Sequence, residues 1–208
     1  MTAGRSDGRT AGILLLGLLA VWPSGRPAAA QVSVRLSLGA RYSTILVHDS
    51  IEVPIDLKPT VAPALQLSVR TALPGPWAGE ATLDVSPAKL KREESGASTQ
   101  VGSFTALALT VGLRREMHAG IAARMAIGGL AYLTDKSSVF QQGSGGIFPL
   151  VALGTTYAPP FGARHRLEVG LHYDLHRFIT PALRTVGYAR LRPVHRIAIT
   201  VSGRLVGQ

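Results

Sequence analysis

The stretch from Val32 to Thr44 reads VSVRLSLGARYST and contains the pattern that decides the fold. Its even-numbered positions are mainly apolar (Val, Val, Leu, Leu, Ala, Tyr, Thr), and its odd-numbered positions are polar or small (Ser, Arg, Ser, Gly, Arg, Ser). Successive side chains of a β-strand point to opposite faces. Alternation over this length therefore predicts a strand with one apolar and one polar face.

The same alternation recurs along the rest of the chain. Further strands are predicted where apolar residues again occupy every second position, in segments 61–70, 77–86, 105–114, 121–133, 147–157, 166–175 and 196–205. The segment 147–157 is the weakest of them because Pro149 interrupts it. With the segment around Val32, these patterns predict an all-β domain of about eight strands.

The connections between the predicted strands alternate in length. Short turns are predicted at 73–76, 115–118 and 159–162, and longer connections at 45–58, 87–100, 135–146 and 177–194. Outer-membrane barrels have an even number of strands, short periplasmic turns and longer outer loops. The pattern thus predicts a closed antiparallel up-and-down barrel with its first and last strands paired. Two alternatives stay open: 185–191 could be an extra strand, and 51–57 could extend the barrel wall as a hairpin above the membrane.

Residues 1–30 have the pattern of a secretory signal peptide. Arg5 and Arg9 give a positive start, residues 11–22 are uncharged and apolar, and Ala28 and Ala30 precede Gln31 at the positions where cleavage needs small residues. The apolar run is too short for a membrane-spanning helix, which needs about 20 residues. We predict a signal peptide at 1–30 and one barrel domain at 31–208.

The composition excludes several classes of function. The chain has no cysteine, so it has no lipoprotein anchor cysteine, no thiol nucleophile and no Cys-based zinc site. The formal net charge is +10, but the basic residues are mostly single arginines. The one basic run, Lys89-Leu90-Lys91-Arg92, is followed at once by Glu93-Glu94 and is expected at a solvated loop tip. Outer-membrane lipid and lipopolysaccharide are therefore expected partners, and nucleic acid is not.

The two faces of the strands favour a membrane barrel over a soluble one. Charged residues on the polar faces are mostly Arg among many small residues, which suits a crowded lumen better than a solvated surface. The apolar face, with Leu36, Leu67, Leu109, Ile127, Leu171 and Ile199, is predicted to face lipid. Aromatic residues near strand ends are candidates for the interfacial girdles: Tyr42, Trp77, Tyr132, Phe148, Tyr157, Tyr173 and Phe178. A soluble periplasmic lipocalin-like binding barrel remains the alternative.

The charged residues of the polar faces are predicted to form one lumen network. It comprises Arg35, Arg41, Arg70, Arg124, Arg196 and Arg204 with Glu80, Asp84, Glu168 and Asp174. Arg114 lies on a polar face as well. A guanidinium has five donors, so one arginine can bridge two partners across a narrow barrel. The network is therefore predicted to plug the lumen.

Few residues suggest catalysis. His172, Asp174 and His176 share one strand face and could bind a metal or exchange protons, but membership of the interior network or the barrel rim is the better interpretation. His195 with Thr200 and Ser202 is the nearest approach to a Ser–His pair, and it lacks a diagnostic spacing. We assign no catalytic residue, no metal site and no cofactor.

In its signal peptide, alternating strands and short–long loop rhythm, the chain resembles the small outer-membrane β-barrels typified by the membrane domain of outer-membrane protein A. The resemblance covers about residues 31–208. It implies a barrel in a Gram-negative-type envelope, inserted by the barrel-assembly machinery, with a structural or surface-interaction role carried by its extracellular loops. A narrow porin-like pore and a lipid-modifying enzyme, such as an acyl hydrolase or transferase, are alternatives on the same fold.

Overall fold

A computed structural model describes residues 32–49, 55–134, 146–159, 167–179 and 192–206. Ten antiparallel strands make up almost all of these residues. They are β1 (Val32–Ser43), β2 (Val47–Asp49), β3 (Ile55–Pro59), β4 (Ala62–Ala72), β5 (Trp77–Glu94), β6 (Ala97–Glu116), β7 (Ile121–Thr134), β8 (Ile147–Tyr157), β9 (Leu167–Phe178) and β10 (Arg192–Val206).

Eight of the strands close into a ring in the order β1-β4-β5-β6-β7-β8-β9-β10. The ring closes where β10 pairs with β1, with Leu38 opposite Val201 and Tyr42 opposite Ile197. Closure pairs the first and last strands of the ring, so that neither presents an open edge to the bilayer, which would not tolerate one. The predicted eight-stranded up-and-down barrel is therefore confirmed, including the pairing of its first and last strands.

The predicted long loop at 87–100 is wrong. β5 and β6 stay paired through this stretch, from Pro87 opposite Thr105 to Glu94 opposite Ala97. The chain turns only at Ser95 and Gly96, which have positive φ angles of 48° and 84°. The basic run at residues 89–92 therefore lies in a strand and not at a loop tip. Alternation in fact continues through it, because Ala88 and Leu90 are buried while Lys89 and Lys91 are exposed.

The predicted loop at 45–58 contains the short hairpin formed by β2 and β3. β3 pairs with the far end of β5, placing Ile55 opposite Glu94 and Pro59 opposite Leu90. The alternative that this region extends the barrel wall is thus correct. We call β2, β3 and residues 88–94 and 97–103 the outer extension.

The turn predicted at 115–118 lies slightly later in the chain. β6 continues to Glu116, and the reversal uses the short 3-10 turn His118–Gly120 with positive φ at Ala119 (60°) and Gly120 (75°). The predicted signal peptide, the possible strand at 185–191 and most of the loops at 135–146, 159–162 and 177–194 lie outside the described residues. Among the described residues, no helix has the length and apolar character to cross a membrane.

The barrel has an apolar outside and a polar, charged inside. The predicted outward residues Leu67, Leu109, Ile127, Leu171 and Ile199 are 40–70% exposed, and Leu36 is half-buried on the same face. On β5 the outward residues from Trp77 to Pro87 carry no charge. These roughly ten steps of about 3.3 Å, on a strand tilted by about 40°, span about 25 Å, the height of a lipid-facing band. This polarity is that of a membrane barrel and is opposite to that of a lipocalin.

Three of the seven predicted girdle aromatics are not in a girdle. Tyr132, Phe148 and Phe178 are buried in the interior, because each lies on the inward-facing parity of its strand. Trp77 and Tyr157 are exposed at the short-turn end of the band, where Arg115 lies 5.4 Å from the Trp77 ring.

Candidate functional site

The interior of the barrel is the candidate site, and it has two layers. The half nearer the short turns is filled by buried ion pairs, and the half nearer the outer extension is filled by apolar side chains. We call the first the charged tier: Arg35, Arg41, Arg70, Glu80, Asp84, Arg114, Arg124, Glu168, Asp174 and Arg196. We call the second the apolar tier: Leu46, Val47, Leu57, Ala62, Ala88, Leu90, Phe104, Ala106, Ala108, Leu130, Tyr132, Phe148, Leu150, Phe178 and Val194.

Glu168 is the main junction of the charged tier. Its carboxylate lies 2.9 Å from Nη2 of Arg35, 3.1 Å from Nη1 of Arg70 and 3.4 Å from Nη2 of Arg114. These partners come from β1, β4 and β6, none of which is a neighbour of β9 in the ring. One carboxylate thus ties together strands that have no backbone hydrogen bonds with its own.

Glu80 is a second carboxylate of the charged tier that contacts more than one arginine. It pairs with Arg70 and lies 2.6 Å from Nε of Arg124 on β7. The Arg124 guanidinium also donates to the hydroxyls of Thr110 at 2.7 Å and Thr82 at 3.2 Å. Charge-assisted bonds of this kind are stronger than bonds between neutral groups. They hold β5, β6 and β7 at a fixed spacing around the lumen.

Asp84 and Asp174 form a third group nearer the middle of the barrel. Arg41 forms a bidentate ion pair with Asp84, in which Nη2 lies 2.8 Å from Oδ2. Nη2 of Arg41 also lies 3.5 Å from Oδ2 of Asp174. Arg196 lies 3.6 Å from Asp84 and 3.9 Å from Asp174. The arginines outnumber the acids in the charged tier, so the lumen is net positive.

Two residues differ from the predicted network. Arg204 is exposed and pairs with no carboxylate among the described residues. It lines a cavity of about 690 Å³ at the short-turn mouth of the barrel, beside Arg35, Arg70 and Glu168. Arg114, in contrast, is 1% exposed and pairs with Glu168 and Glu116. Its position on the polar face of β6 was the signal that could have placed it in the network.

His172 and His176 were predicted to belong to the interior network or to the barrel rim, and both side chains lie inside the barrel. His172 is inside the barrel, with Nε2 3.0 Å from the Thr200 hydroxyl. His176 is buried within the apolar tier, where Nε2 lies 2.9 Å from the hydroxyl of Tyr132. The described residues contain no cluster of three or more His, Asp or Glu that could hold a metal.

The residues proposed as the nearest Ser–His pair do not come together. His195 points to the outer side, where its Nδ1 lies 2.7 Å from the Tyr173 hydroxyl. Thr200 and Ser202 face the lumen, and the hydroxyl of Ser202 accepts a hydrogen bond of 2.9 Å from Ser37. The barrel wall therefore separates this imidazole from both hydroxyls.

The apolar tier was missed by sequence reasoning. Tyr132 lies at its centre, with edge-to-face ring contacts to Phe104 at 5.1 Å, Phe178 at 5.4 Å and Phe148 at 5.9 Å. Leu46, Val47 and Leu57, from β2, β3 and the segment before them, pack against the same cluster. The outer extension is thereby anchored to the barrel interior.

No family model matches this sequence, and no curated protein sequence matches it. Solved structures of similar fold include Ail, the attachment invasion locus protein of Yersinia pestis, with 12% identity over 84% of this chain and 99% of Ail (TM-score 0.49). The outer membrane protein OprG from Pseudomonas aeruginosa matches with 8% identity over 85% of this chain and 96% of OprG (TM-score 0.48). Neisserial surface protein A matches with 9% identity over 84% and 96% (TM-score 0.48).

The ring of strands and its polarity decide the class of fold. Closed antiparallel barrels with an apolar outer band and a polar interior are the outer-membrane type. This chain has the fold of a small outer-membrane β-barrel. Two of its features bear on its function: the charged tier inside the barrel and the outer extension.

Proposed function

We propose that the chain is a non-enzymatic, non-conducting outer-membrane barrel that holds the outer extension at the cell surface as an interaction surface. The observation that carries the proposal is that side chains fill the lumen at two successive levels. Ion pairs cross the barrel at one level, and aromatic and aliphatic side chains fill it at the next. An eight-stranded barrel has room for little more than its own side chains.

The outer extension supports a surface role because it is rigidly built. Paired β5 and β6 strands continue well past the apolar band, and β2 and β3 widen this sheet on one side. Its own ion pairs, Lys58–Glu93 at 2.5 Å and Arg92–Glu94 at 2.6 Å, lie on its exposed surface. A preorganised surface loses less entropy on binding a partner than a flexible loop does. We further propose bilayer lipid as a partner and insertion by the barrel-assembly machinery.

The proposed orientation can be tested by labelling single cysteines on whole cells, because the native chain contains none. Gly96 lies in the turn at the tip of the outer extension, and Gly75 lies in a short turn at the opposite end of the barrel. The two positions can be compared directly because their backbone conformations and surroundings are alike. Their φ angles are +84° and +74°, and a Cβ at either position meets no atom within 4 Å. A membrane-impermeant thiol reagent should label Gly96→Cys on intact cells and Gly75→Cys only after the outer membrane is permeabilised. The reverse pattern, or equal labelling, would contradict the proposal.

A further inference from the structure

The seam between β4 and β5 is interrupted near the outer edge of the apolar band. Their pairing ends at Leu65 opposite Val85. Pairing along β5 resumes higher up through β3, where Pro59 lies opposite Leu90. If the β4–β5 register continued, Pro63 would face Pro87. Because proline has no N–H, neither residue could donate a hydrogen bond across this part of the seam.

The break is local and its polar backbone groups have other partners. The carbonyl of Pro63 accepts a hydrogen bond of 3.0 Å from the hydroxyl of Ser86. Just above the break, the N–H of Thr60 donates to the carbonyl of Lys89 at 2.9 Å. On its other side β4 remains paired with β1. The seam thus avoids the cost of unpaired backbone in lipid, although two strands separate there.

A cavity of about 610 Å³ opens on the barrel at this break. Its apolar lining includes Val61, Pro63, Pro87 and Leu133, all of which are exposed. The volume lies within the range of small-molecule sites, about 300–1,000 Å³. A groove of this size and polarity on a lipid-facing wall can accept an acyl chain.

Among the described residues that line the groove, the basic one is Lys89, at its outer end. Lys89 lines it, one outward position above Pro87 on β5, and is exposed. Lys58 and Arg92, on the outer extension, pair with Glu93 and Glu94, whereas Lys89 has no ion pair within the described part of the chain. A lysine at the edge of an apolar band extends its ammonium group toward the lipid headgroups.

We propose that this groove binds a phosphate-bearing lipid of the surrounding outer leaflet. One acyl chain lies along Val61, Pro63, Pro87 and Leu133, and the lipid phosphate contacts the Lys89 ammonium group. The break in the seam provides the depth of the groove, and Lys89 provides its preference for an anionic headgroup.

The headgroup part can be tested by native mass spectrometry of the full chain in detergent, with dioleoyl phosphatidic acid and dioleoylglycerol as probes. These lipids share their acyl chains and differ by the phosphate. The wild-type chain should retain one phosphatidic acid, with about fivefold preference over diacylglycerol, since one lysine near a membrane surface contributes about 1 kcal/mol. Lys89→Glu should abolish the preference. Lys91→Glu is the matched control, because Lys91 is the next outward residue on β5 and does not line the groove. Equal loss in both variants would overturn the proposal.

The proposal that an acyl chain occupies the groove is tested by filling the groove with a larger side chain. Thr105 lies between Pro87 and Leu133 in the sheet register, so Thr105→Trp should weaken retention of both lipids. Leu109→Trp is the control, because it adds the same ring on the outward face of β6 at a position that does not line the groove. Ser103→Trp, also at the groove, serves as a second variant if Thr105→Trp does not fold. Unchanged lipid retention in a folded groove variant would show that lipid binds elsewhere and would overturn the proposal.

Discussion

The two tiers of the lumen fill the same barrel by opposite means. In the charged tier, Glu168 meets three guanidinium groups and Glu80 meets two, and several of these ion pairs join strands that are not neighbours. In the apolar tier, Leu130, Tyr132 and Phe148 pack against one another. A buried charge is strongly destabilising once its partner is removed. Truncating an apolar side chain removes its contacts and creates a cavity, but it leaves no charge without a partner. The comparison predicts that the charged tier is the more sensitive to single substitutions.

The largest effect is expected for Glu168→Ala. This change leaves Arg35, Arg70 and Arg114 with one carboxylate fewer in a site where Glu168 is 4% exposed. We expect a loss of about 3–5 kcal/mol in the free energy of unfolding, measured by urea titration in lipid vesicles. Glu116→Ala is the control: it also removes a partner of Arg114, but its side chain is 55% exposed, so the loss should be at most about 1 kcal/mol. Equal losses would mean that the lumen is hydrated and its charges are screened.

A smaller effect is expected for Leu130→Ala in the apolar tier. Leu130 is fully buried, so truncation should cost about 2–4 kcal/mol by loss of contacts and creation of a cavity. Leu133→Ala, three residues later, is the control, because Leu133 is 53% exposed on the outer face. The same titration should give a clearly smaller loss for Leu133. If the two losses were equal, Leu130 would not be in a packed interior.

The difference between the tiers also explains what the sequence could predict. Charges at alternate positions of apolar strands identify an interior network, and most members of the charged tier were found in this way. Arg204 has the inward parity of β10 and pairs in register with Arg35, but it lies at the short-turn mouth of the barrel, where it lines an open cavity and is exposed. Spacing alone does not reveal where along a strand the enclosed lumen ends.

The apolar tier could not be recognised as easily, because both faces of the strands are apolar there. Near their outer ends β7 and β8 carry Leu130, Tyr132 and Phe148 inward as well as Leu133 and Ile147 outward. The alternation of apolar and polar residues is therefore lost in these segments. Aromatic residues near the strand ends then look like girdle residues. Counting positions from Arg124, which faces the lumen, would have placed Tyr132 inside. The pairing of β5 with β6 through the basic run was missed for a related reason, since charge obscured the alternation.

The smallest effect is expected for Tyr132→Phe. The ring remains in its aromatic cluster, and only the contact of the hydroxyl with Nε2 of His176 is lost. One hydrogen bond of this kind contributes about 1 kcal/mol to stability. Tyr157→Phe, on the outer face, should change the unfolding free energy less. A loss in Tyr132→Phe as large as in Leu130→Ala would indicate that the polar contact, and not packing, dominates the apolar tier.

The central claim is that the charged tier and the apolar tier each close the lumen, and single-channel recording in a planar bilayer tests it most directly. The wild-type chain should give no stepwise current at any applied voltage that the bilayer withstands. Glu168→Ala and Leu130→Ala should stay silent too, because in each variant the other tier still fills the barrel. Uniform current steps from the folded wild-type chain would contradict the claim and would identify the barrel as a narrow pore.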